Sequence, residues 1–338
     1  MPYIARTNMT SLHDIEIRDG STPPLWARER AQALAHKLAT VNGWKSSAVI
    51  ASHWAIVLGA GAAAVMSRNV FVYVAAMVVI AMQQQAFAVL VHDGAHHLLY
   101  RNRRVNDLVC DLFLAFPGGI STALYRFYHL QHHRNLNTPA DPDGAFQNEG
   151  AFIFLPAAGR SFRRLSARTL AMLNVREMAH YIRRFMVLAN LLRPLDAKPD
   201  LPLAVRVEYL VWLAAVVGVC LTFGVLRDAI LLFVLPGIVW ANVFSRLRGL
   251  AEHGEVEGDH ELAAARTVTP NWFERAVLAP HGVSYHLEHH LYPFVPGRRL
   301  RTLHRALMDD PAYRDQCEVA PSYFAFVRSR LRRQATSS

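Results

Sequence analysis

The chain has 338 residues, of which 52% are hydrophobic and 18% charged, and its net charge is +10. This composition excludes disorder for most of the length, because disordered chains combine low hydrophobicity with high charge. The three cysteines are too few for a disulfide scaffold. A basic balance indicates either nucleic acid or an anionic membrane surface as the neighbour of the folded chain.

Apolar residues are concentrated in four blocks, at 48–66, 70–90, 205–224 and 229–244. The first two carry no formal charge, and each is close to the roughly 20 residues that cross a hydrocarbon core. Short turns separate the members of each pair. We therefore predict an all-α membrane protein with two transmembrane helical hairpins, that is four spans. The alternative is four buried helices of a soluble protein, which the length and the exclusion of charge disfavour.

These blocks divide a single domain, residues 1–338, into five successive parts. They are an N-terminal arm (1–47), the first hairpin (48–90), a long loop (91–204), the second hairpin (205–244) and a tail (245–338).

Two segments of the loop have a mixed character. In 107–125, Asp107, Asp111 and the Pro117–Gly119 run interrupt an apolar stretch, which predicts an interfacial or re-entrant element. In 178–192, arginines alternate with apolar residues, which is typical of a helix lying on the membrane surface.

The positions of the cations predict the orientation. Each hairpin turn has one cation, Arg68 or Arg227, whereas the arm, the loop and the tail carry almost all the others. The positive-inside rule therefore places both termini and the loop in the cytoplasm, which is the inner-membrane arrangement if the host is bacterial. The basic charge then faces anionic lipid headgroups, and no nucleic-acid-binding motif is present in the sequence.

The histidines carry the chemistry. Most of the 17 lie in three clusters: His92-Asp93-Gly94-Ala95-His96-His97, His129-Leu130-Gln131-His132-His133 and His286-Leu287-Glu288-His289-His290. Helical residues at i, i+3 and i+4 share one face, so the clusters supply two, three and three converging imidazoles. A zinc site takes three or four ligands, so this set suits two metal ions. Imidazole suits iron, zinc, copper or nickel, so ligand type alone leaves the metal open.

Together these features resemble the integral-membrane fatty acid desaturase superfamily, which also contains hydroxylases and carotenoid ketolases. The resemblance covers about residues 48–300 and includes the order hairpin, HDxxHH, HxxHH, hairpin, HxxHH. The third cluster continues the family pattern through Leu291-Tyr292-Pro293, and the second continues into Asn137-Thr138-Pro139-Ala140-Asp141-Pro142-Asp143. The expected fold is a membrane bundle with a cytoplasmic helical cap that carries the histidine boxes.

The resemblance implies a non-haem di-iron centre, cycling between Fe2+ and Fe3+, that uses O2 as co-substrate. It also implies a further ligand after the last span, and His253 stands in that place. The metal ligands expected from the resemblance are His92, His96, His129, His132, His133, His253, His286, His289 and His290. The di-iron centre itself is the catalytic group, and no separate side-chain base is expected.

Six further residues are candidates to support the ligands. Asp93, Glu288, Asp141 and Asp143 are carboxylates that could accept the second ring N–H of a ligand histidine, and the last two could instead cap a turn. His97 lies beside His96 on a neighbouring face. Some relatives have an asparagine that reaches the metal through water, and the matching places here are His281 or Gly282, and Gly249. Of these residues His281 could substitute for the asparagine.

The expected reaction is desaturation of a fatty acyl chain bound to lipid, CoA or acyl-carrier protein. The context of the third cluster favours this outcome over hydroxylation or desaturation of a specialised metabolite, such as a small aminoacyl compound or a carotenoid, which remains the alternative. The sequence lacks a dinucleotide fingerprint and a cytochrome motif, so electrons are expected from a separate ferredoxin or flavoprotein reductase. Leu112, Phe113 and Phe116 are candidate walls of a tunnel for the acyl chain.

Two other classes are weighed against an oxidase. A zinc hydrolase would use His92-Asp93-Gly94-Ala95-His96 in place of HExxH, but it would leave the two HxxHH clusters unused. A metal carrier would place polar ligands within the spans, where the sequence offers only His53 and Gln83–Gln85.

Overall fold

The computed structural model describes residues 25–136, 138–143, 186–191, 201–254, 256 and 261–336. These residues are mostly helical, as the sequence predicts, and they include one short two-stranded sheet.

The first hairpin consists of α2 (Gly43–Ser67) and α3 (Val70–Ala95). Between them Arg68 adopts a left-handed conformation with φ 51°, and the Asn69 side chain caps α3. The helix α3 continues beyond its apolar block, so that His92 lies in its last turn. The hairpin therefore delivers the first histidine cluster directly from a candidate span.

A bent helical element follows the first cluster. The Asp111 carboxylate accepts hydrogen bonds from the backbone N–H and the hydroxyl of Thr122, at 2.7 and 2.8 Å, across the bend. Gly119 has φ 72°, a conformation that glycine adopts without steric cost. The two limbs meet at 89°. They are α4 (Arg103–Cys110) with a π-helical turn (Asp111–Ala115) and a 3-10 turn (Phe116–Gly118), and then α5 (Thr122–Asn135).

The second half begins with α6 (Val187–Asn190) and α7 (Leu203–Thr222). A helix then runs without a break through α8 (Leu226–Ala229), a π-helical segment (Ile230–Val234) and α9 (Leu235–His253). In the π-helical segment the Phe233 carbonyl accepts a hydrogen bond from the Gln84 side chain of α3 at 2.7 Å. This contact ties the second half of the chain to the first hairpin.

The remaining elements surround the third histidine cluster. Strands β1 and β2 pair in parallel, with Thr267 opposite Val319 and Val268 opposite Ala320. The elements are α1 (Leu25–Leu38), a 3-10 turn (Glu261–Ala263), β1 (Thr267–Val268), α10 (Trp272–Val277), a 3-10 turn (Pro280–Gly282), α11 (His286–Leu291), α12 (Gly297–Leu307), α13 (Pro311–Gln316), β2 (Val319–Ala320) and α14 (Tyr323–Thr336).

Three described helices, α2, α3 and α7, are long and apolar enough to cross a membrane. Their outer faces expose large apolar side chains, including Leu58 at 66%, Phe71 at 81% and Val211 at 63%. Lipid is the natural cover for apolar surface of this extent, which supports a membrane protein.

The finer membrane predictions have different outcomes. The bent pair at 103–118 and 122–135 has the form of a broken span or a re-entrant loop, which agrees with the interpretation of 107–125. The fourth predicted span, 229–244, is helical but is not among the three candidates, so four spans and a cytoplasmic cap stay predictions. Most of the predicted surface helix at 178–192 lies outside the described residues.

Candidate metal centre

Eight histidines form two groups in which four ring nitrogens lie within 4.8 Å of one another. The first histidine group is His92, His96, His129 and His289, and the second histidine group is His132, His253, His286 and His290. Each group combines residues from three separate elements.

His133 lies between the two groups. Its Nε2 atom is 3.1 Å from His129 Nε2 and 2.9 Å from His289 Nε2, both in the first group. Its ring is also 4.4 Å, between centroids, from that of His290 in the second group. The structure therefore brings together all nine histidines that the sequence singled out as ligands.

Four helices deliver these side chains to one place. The last turn of α3 carries His92, and His96 directly follows this helix. The C-terminal half of α5 carries the second cluster, and the last residue of α9 is His253. The short helix α11 carries the third cluster and supplies ligands to both groups. Side chains at i, i+3 and i+4 share a helix face, which is why each short cluster converges inwards.

The donor atoms fit metal ions. Two nitrogens bound to one ion at about 2.1 Å lie roughly 3.0 to 3.4 Å apart. His290 Nε2 lies 3.2 Å from His286 Nε2, within this range, whereas His96 Nε2 and His129 Nε2 are slightly closer, at 2.8 Å. In addition, the buried Nε2 atom of His92 has no hydrogen-bond partner among the described residues. A buried polar atom without a partner is costly, and a bound cation would remove that cost.

Burial also sets the protonation state. It lowers the pKa values of His286, His289 and His290 well below the ordinary value, and the neighbouring imidazoles lower them further. The rings are therefore neutral, which is the form that binds a metal ion.

One predicted supporting carboxylate touches a ligand histidine directly. The buried Asp141 carboxylate lies 2.9 Å from His132 Nδ1, so the other ring nitrogen, Nε2, is left for a metal. A carboxylate in this position fixes the orientation and the tautomer of a ligand histidine. Asp143 donates its backbone N–H to Asp141 at 2.8 Å, so it stabilises the turn that holds this carboxylate.

Asp93 and Glu288 differ from the prediction that they accept a ligand's ring N–H. Asp93 lies 3.7 Å from His92 Nδ1, which is longer than a hydrogen bond, and accepts instead from the Gly297 backbone N–H at 3.3 Å. Glu288 is fully buried and binds groups from β1, α12 and α13. Both residues precede or follow ligands on a helix, so their side chains point to the neighbouring elements rather than back to the ligands.

His97 and His281 lie outside the two groups. His97 has a left-handed φ of 57°, and its Nδ1 atom is 3.4 Å from the Asp107 carboxylate. The Nε2 atom of His281 is 2.9 Å from that of His53, whose Nδ1 atom contacts Gln83 at 2.6 Å. Burial lowers the pKa of His281 to about 4. His281 therefore joins α2 and α3 to the turn before the third cluster, and its substitution for an asparagine that reaches the metal through water stays a prediction.

Two arginines that the sequence analysis missed hold the backbone beside the ligands. Arg126 donates to the carbonyls of Gly94 and Ala95, at 3.0 and 2.8 Å, and pairs with Asp107. Arg266 donates at 2.8 Å to the Ala251 carbonyl, two residues before His253. No spacing in the sequence links these arginines to their partners. For Arg126 alone the sequence offers a signal, since this cation lies on the same helix as the second HxxHH cluster.

Comparison with known proteins gives two findings. The model of the fatty acid desaturase family matches residues 68–317, a range that contains all nine converging histidines. The dihydrorhizobitoxine desaturase of Bradyrhizobium elkanii is 27% identical over 281 residues, which are 79% of this chain and 76% of that protein. The match with the family model confirms the resemblance drawn from the histidine clusters.

Proposed function

Since the chain belongs to the fatty acid desaturase family, we propose that it is an O2-dependent desaturase that introduces a double bond into a fatty acyl chain. The observation that carries this proposal is the convergence of nine histidines, eight in two groups of four and His133 between them, at the ends of α3 and α9. Two groups of neutral donors fit two metal ions, whereas a zinc hydrolase needs one.

We further propose that the two ions are iron. When bound, they supply, with O2 and two electrons, the oxidising power that removes hydrogen from an unactivated hydrocarbon. The chain's own residues hold and orient this centre: the neutral imidazoles bind, Asp141 fixes His132, and the buried surroundings exclude water. Electrons come from an external ferredoxin or flavoprotein reductase in this proposal.

An apolar layer beside α5 supports an acyl substrate. Phe116 is 1% exposed and packs against Tyr209 and Trp212 of α7, with ring centroids 5.2 and 6.0 Å apart. Leu112 packs against the same layer. Phe113, in contrast, is 47% exposed, so it lies on the outer surface and is not a wall of an enclosed tunnel.

Lipid analysis of a host with and without the gene tests this proposal. We expect new unsaturated acyl chains that require O2 and that disappear in the His289→Ala variant, which serves as the matched control. The purified protein should contain about two iron ions per chain. A content of one zinc ion, or unchanged acyl chains in a host with a working electron donor, would contradict the proposal.

A second candidate follows from the name of the relative, which describes a specialised-metabolite substrate. The same cells supplied with dihydrorhizobitoxine provide the comparison. Conversion of this compound without any change in the cellular acyl chains would favour the second candidate and would leave the two-metal centre in place.

A further inference from the structure

Two glutamates that directly precede ligand histidines are buried under tyrosine hydroxyls. The first is Glu288, which precedes His289 and is 0% exposed. The Tyr313 hydroxyl donates to Glu288 Oε1 at 2.6 Å, and His304 Nδ1 contacts the same oxygen. The hydroxyl of Thr267 donates to Oε2. These three partners lie in β1, α12 and α13, so their contacts fix α11 from three sides.

The second glutamate is Glu252, which precedes His253 and is 2% exposed. The Tyr323 hydroxyl donates to Glu252 Oε1 at 2.6 Å, and Arg248 binds both carboxylate oxygens at 3.0 and 2.8 Å. Oε2 also lies 3.7 Å from Nδ1 of His286. This carboxylate therefore stands beside two ligands of the second histidine group.

Both tyrosines come from the chain that follows the third cluster. Tyr313 lies in α13, near the end of the range that matches the family model, and Tyr323 begins α14, beyond residue 317 where that match ends. The pairing of β2 with β1 and the ion pair between Arg266 and Glu318 hold this segment against the end of α9. The tail is thus built into the surroundings of the candidate metal centre.

The positive charge of two bound metal ions explains why buried carboxylates would lie near the ligands. The nine histidine ligands bring no negative charge, whereas two divalent ions bring four positive charges into a buried site. A buried charge is tolerated when opposite charge and hydrogen bonds compensate it. Glu252, which Arg248 also binds, and Glu288 are buried carboxylates on residues next to ligands in the chain, and a hydroxyl donor holds each in one orientation. Burial, followed by the nearby carboxylate, raises the pKa of both tyrosines, so each phenol keeps its proton.

We propose that Tyr313 and Tyr323 are positioning residues, which hold Glu288 and Glu252 in the orientation that allows the two histidine groups to bind metal ions tightly. This inference rests on the proposed function, which requires both groups to bind metal. Its specific content is that the C-terminal segment contributes to metal affinity through two hydroxyl groups.

The two tyrosines should act on different ions. Glu252 stands beside His253 and His286, both in the second group, so Tyr323→Phe should weaken one of the two metal sites. Glu288 lies on α11, which supplies ligands to both groups, so Tyr313→Phe should weaken both sites. Phenylalanine removes only the hydroxyl and keeps the ring that packs in the core.

Titration of the purified full-length protein with Co2+, followed by visible absorption, measures both sites without turnover. Supporting partners of metal ligands typically contribute about 10–100-fold to affinity, and we expect about tenfold because each tyrosine acts through a carboxylate. The matched control is Tyr73→Phe, since Tyr73 donates to Asp228 at 3.0 Å near the far end of α3. This control should bind Co2+ like the wild type.

Wild-type Co2+ affinity in both Phe variants would overturn the inference, as would an equal fall in the control. A lower melting temperature of the metal-free variants with an unchanged Co2+ spectrum would show a merely structural role and would also overturn it. If Tyr323→Phe does not fold, Glu252→Gln tests the same point, because it should weaken the second group alone. A wild-type protein that binds no metal would instead contradict the proposed function.

Discussion

An imidazole binds a metal ion only while the donor nitrogen carries no proton. Burial provides this condition for the third cluster, because it lowers the pKa values of His286, His289 and His290. At the scale of single residues, the candidate centre therefore depends on the burial of the ligand rings. For His132, the Asp141 carboxylate also contacts the second ring nitrogen and fixes the orientation of the ring.

Removal of a ligand should eliminate activity. His132→Ala and His289→Ala each delete one donor from a different group, and we expect activity to fall by more than about 100-fold with loss of bound iron. Both variants should remain in the membrane fraction. His97→Ala is the comparison, because His97 contacts Asp107 and Arg126 outside the groups. An equal loss in that variant would place His97 among the ligands.

Removal of the charge of Asp141 should weaken one metal site. The two carboxylate oxygens of Asp141 lie 2.9 and 3.0 Å from His132 Nδ1. Asp141→Asn keeps the shape of the side chain but replaces one of these oxygens by an amide nitrogen. We expect metal affinity to fall about 10–100-fold, as measured by competition with a chelator. Asp309→Asn, at an exposed position, is the control. Unchanged affinity in Asp141→Asn would exclude the orienting role.

At the scale of elements, local departures from regular α-helical geometry position the site. The bend at Gly119 turns α5 by 89° from the preceding limb and so directs the second cluster towards the first. The π-helical segment Ile230–Val234 offers the Phe233 carbonyl to Gln84, which fixes α9 against α3.

The apolar layer at the bend should influence chain length if the substrate is acyl. Phe116→Leu enlarges the space beside α5, and each additional buried CH2 group contributes up to about 0.8 kcal/mol. We expect a shift in the length of the acyl chains or in the position of the double bond in extracted lipids. Phe113→Leu is the control, since Phe113 lies on the outer surface. The same shift in both variants would argue against a specific wall at Phe116.

The turn before α11 should give the protein a pH-dependent stability. Burial and the neighbouring His53 lower the pKa of His281 to about 4, while Asp93 opposes this effect. The unfolded chain, with a histidine pKa of about 6.5, binds the proton more tightly. The contribution of neutral His281 is therefore complete above about pH 6.5 and is lost as the pH falls towards 4.

The variant His281→Asn tests this dependence. Asparagine tolerates the left-handed φ of 59° that His281 adopts, and it does not titrate. We expect the difference in melting temperature between wild type and variant to change between about pH 6.5 and 4, because only the wild type gains a proton there on unfolding. A constant difference across this range would show that His281 does not contribute to the pH dependence.

At the scale of the whole molecule, the candidate centre lies at one end of α3, and the hairpin turn at Arg68 lies at the other. The orientation of this axis across the membrane decides which side provides electrons. The distribution of basic residues predicts that the turns at Arg68 and Arg227 face away from the cytoplasm.

Cysteine labelling of intact cells tests this orientation. The native Cys110, Cys220 and Cys317 are free thiols and are first replaced by serine. A membrane-impermeant reagent should then label Arg68→Cys and Arg227→Cys, and it should label Asp143→Cys only after permeabilisation. Labelling of position 143 in intact cells would reverse the predicted topology and would separate the centre from a cytoplasmic electron donor.

The sequence by itself determined the family, the helical membrane character and the nine converging histidines. Each of these depends on local properties: the length of an uncharged apolar run, and the i, i+3 and i+4 spacing that places imidazoles on one helix face. His253 needed the resemblance as well, because a single histidine at a helix end has no spacing pattern.

The tertiary structure decided the division of the ligands into two groups and the partners that hold them. His286 and His289 are three residues apart on α11, yet they belong to different groups. Arg126 reaches the Ala95 carbonyl and Glu252 lies beside His286, while Tyr313 and Tyr323 bind Glu288 and Glu252. Each of these pairs is separated in the chain by a distance that no spacing rule covers. Contacts of this kind arise when separate helices pack, since packing selects partners by their position in space rather than by their position in the sequence.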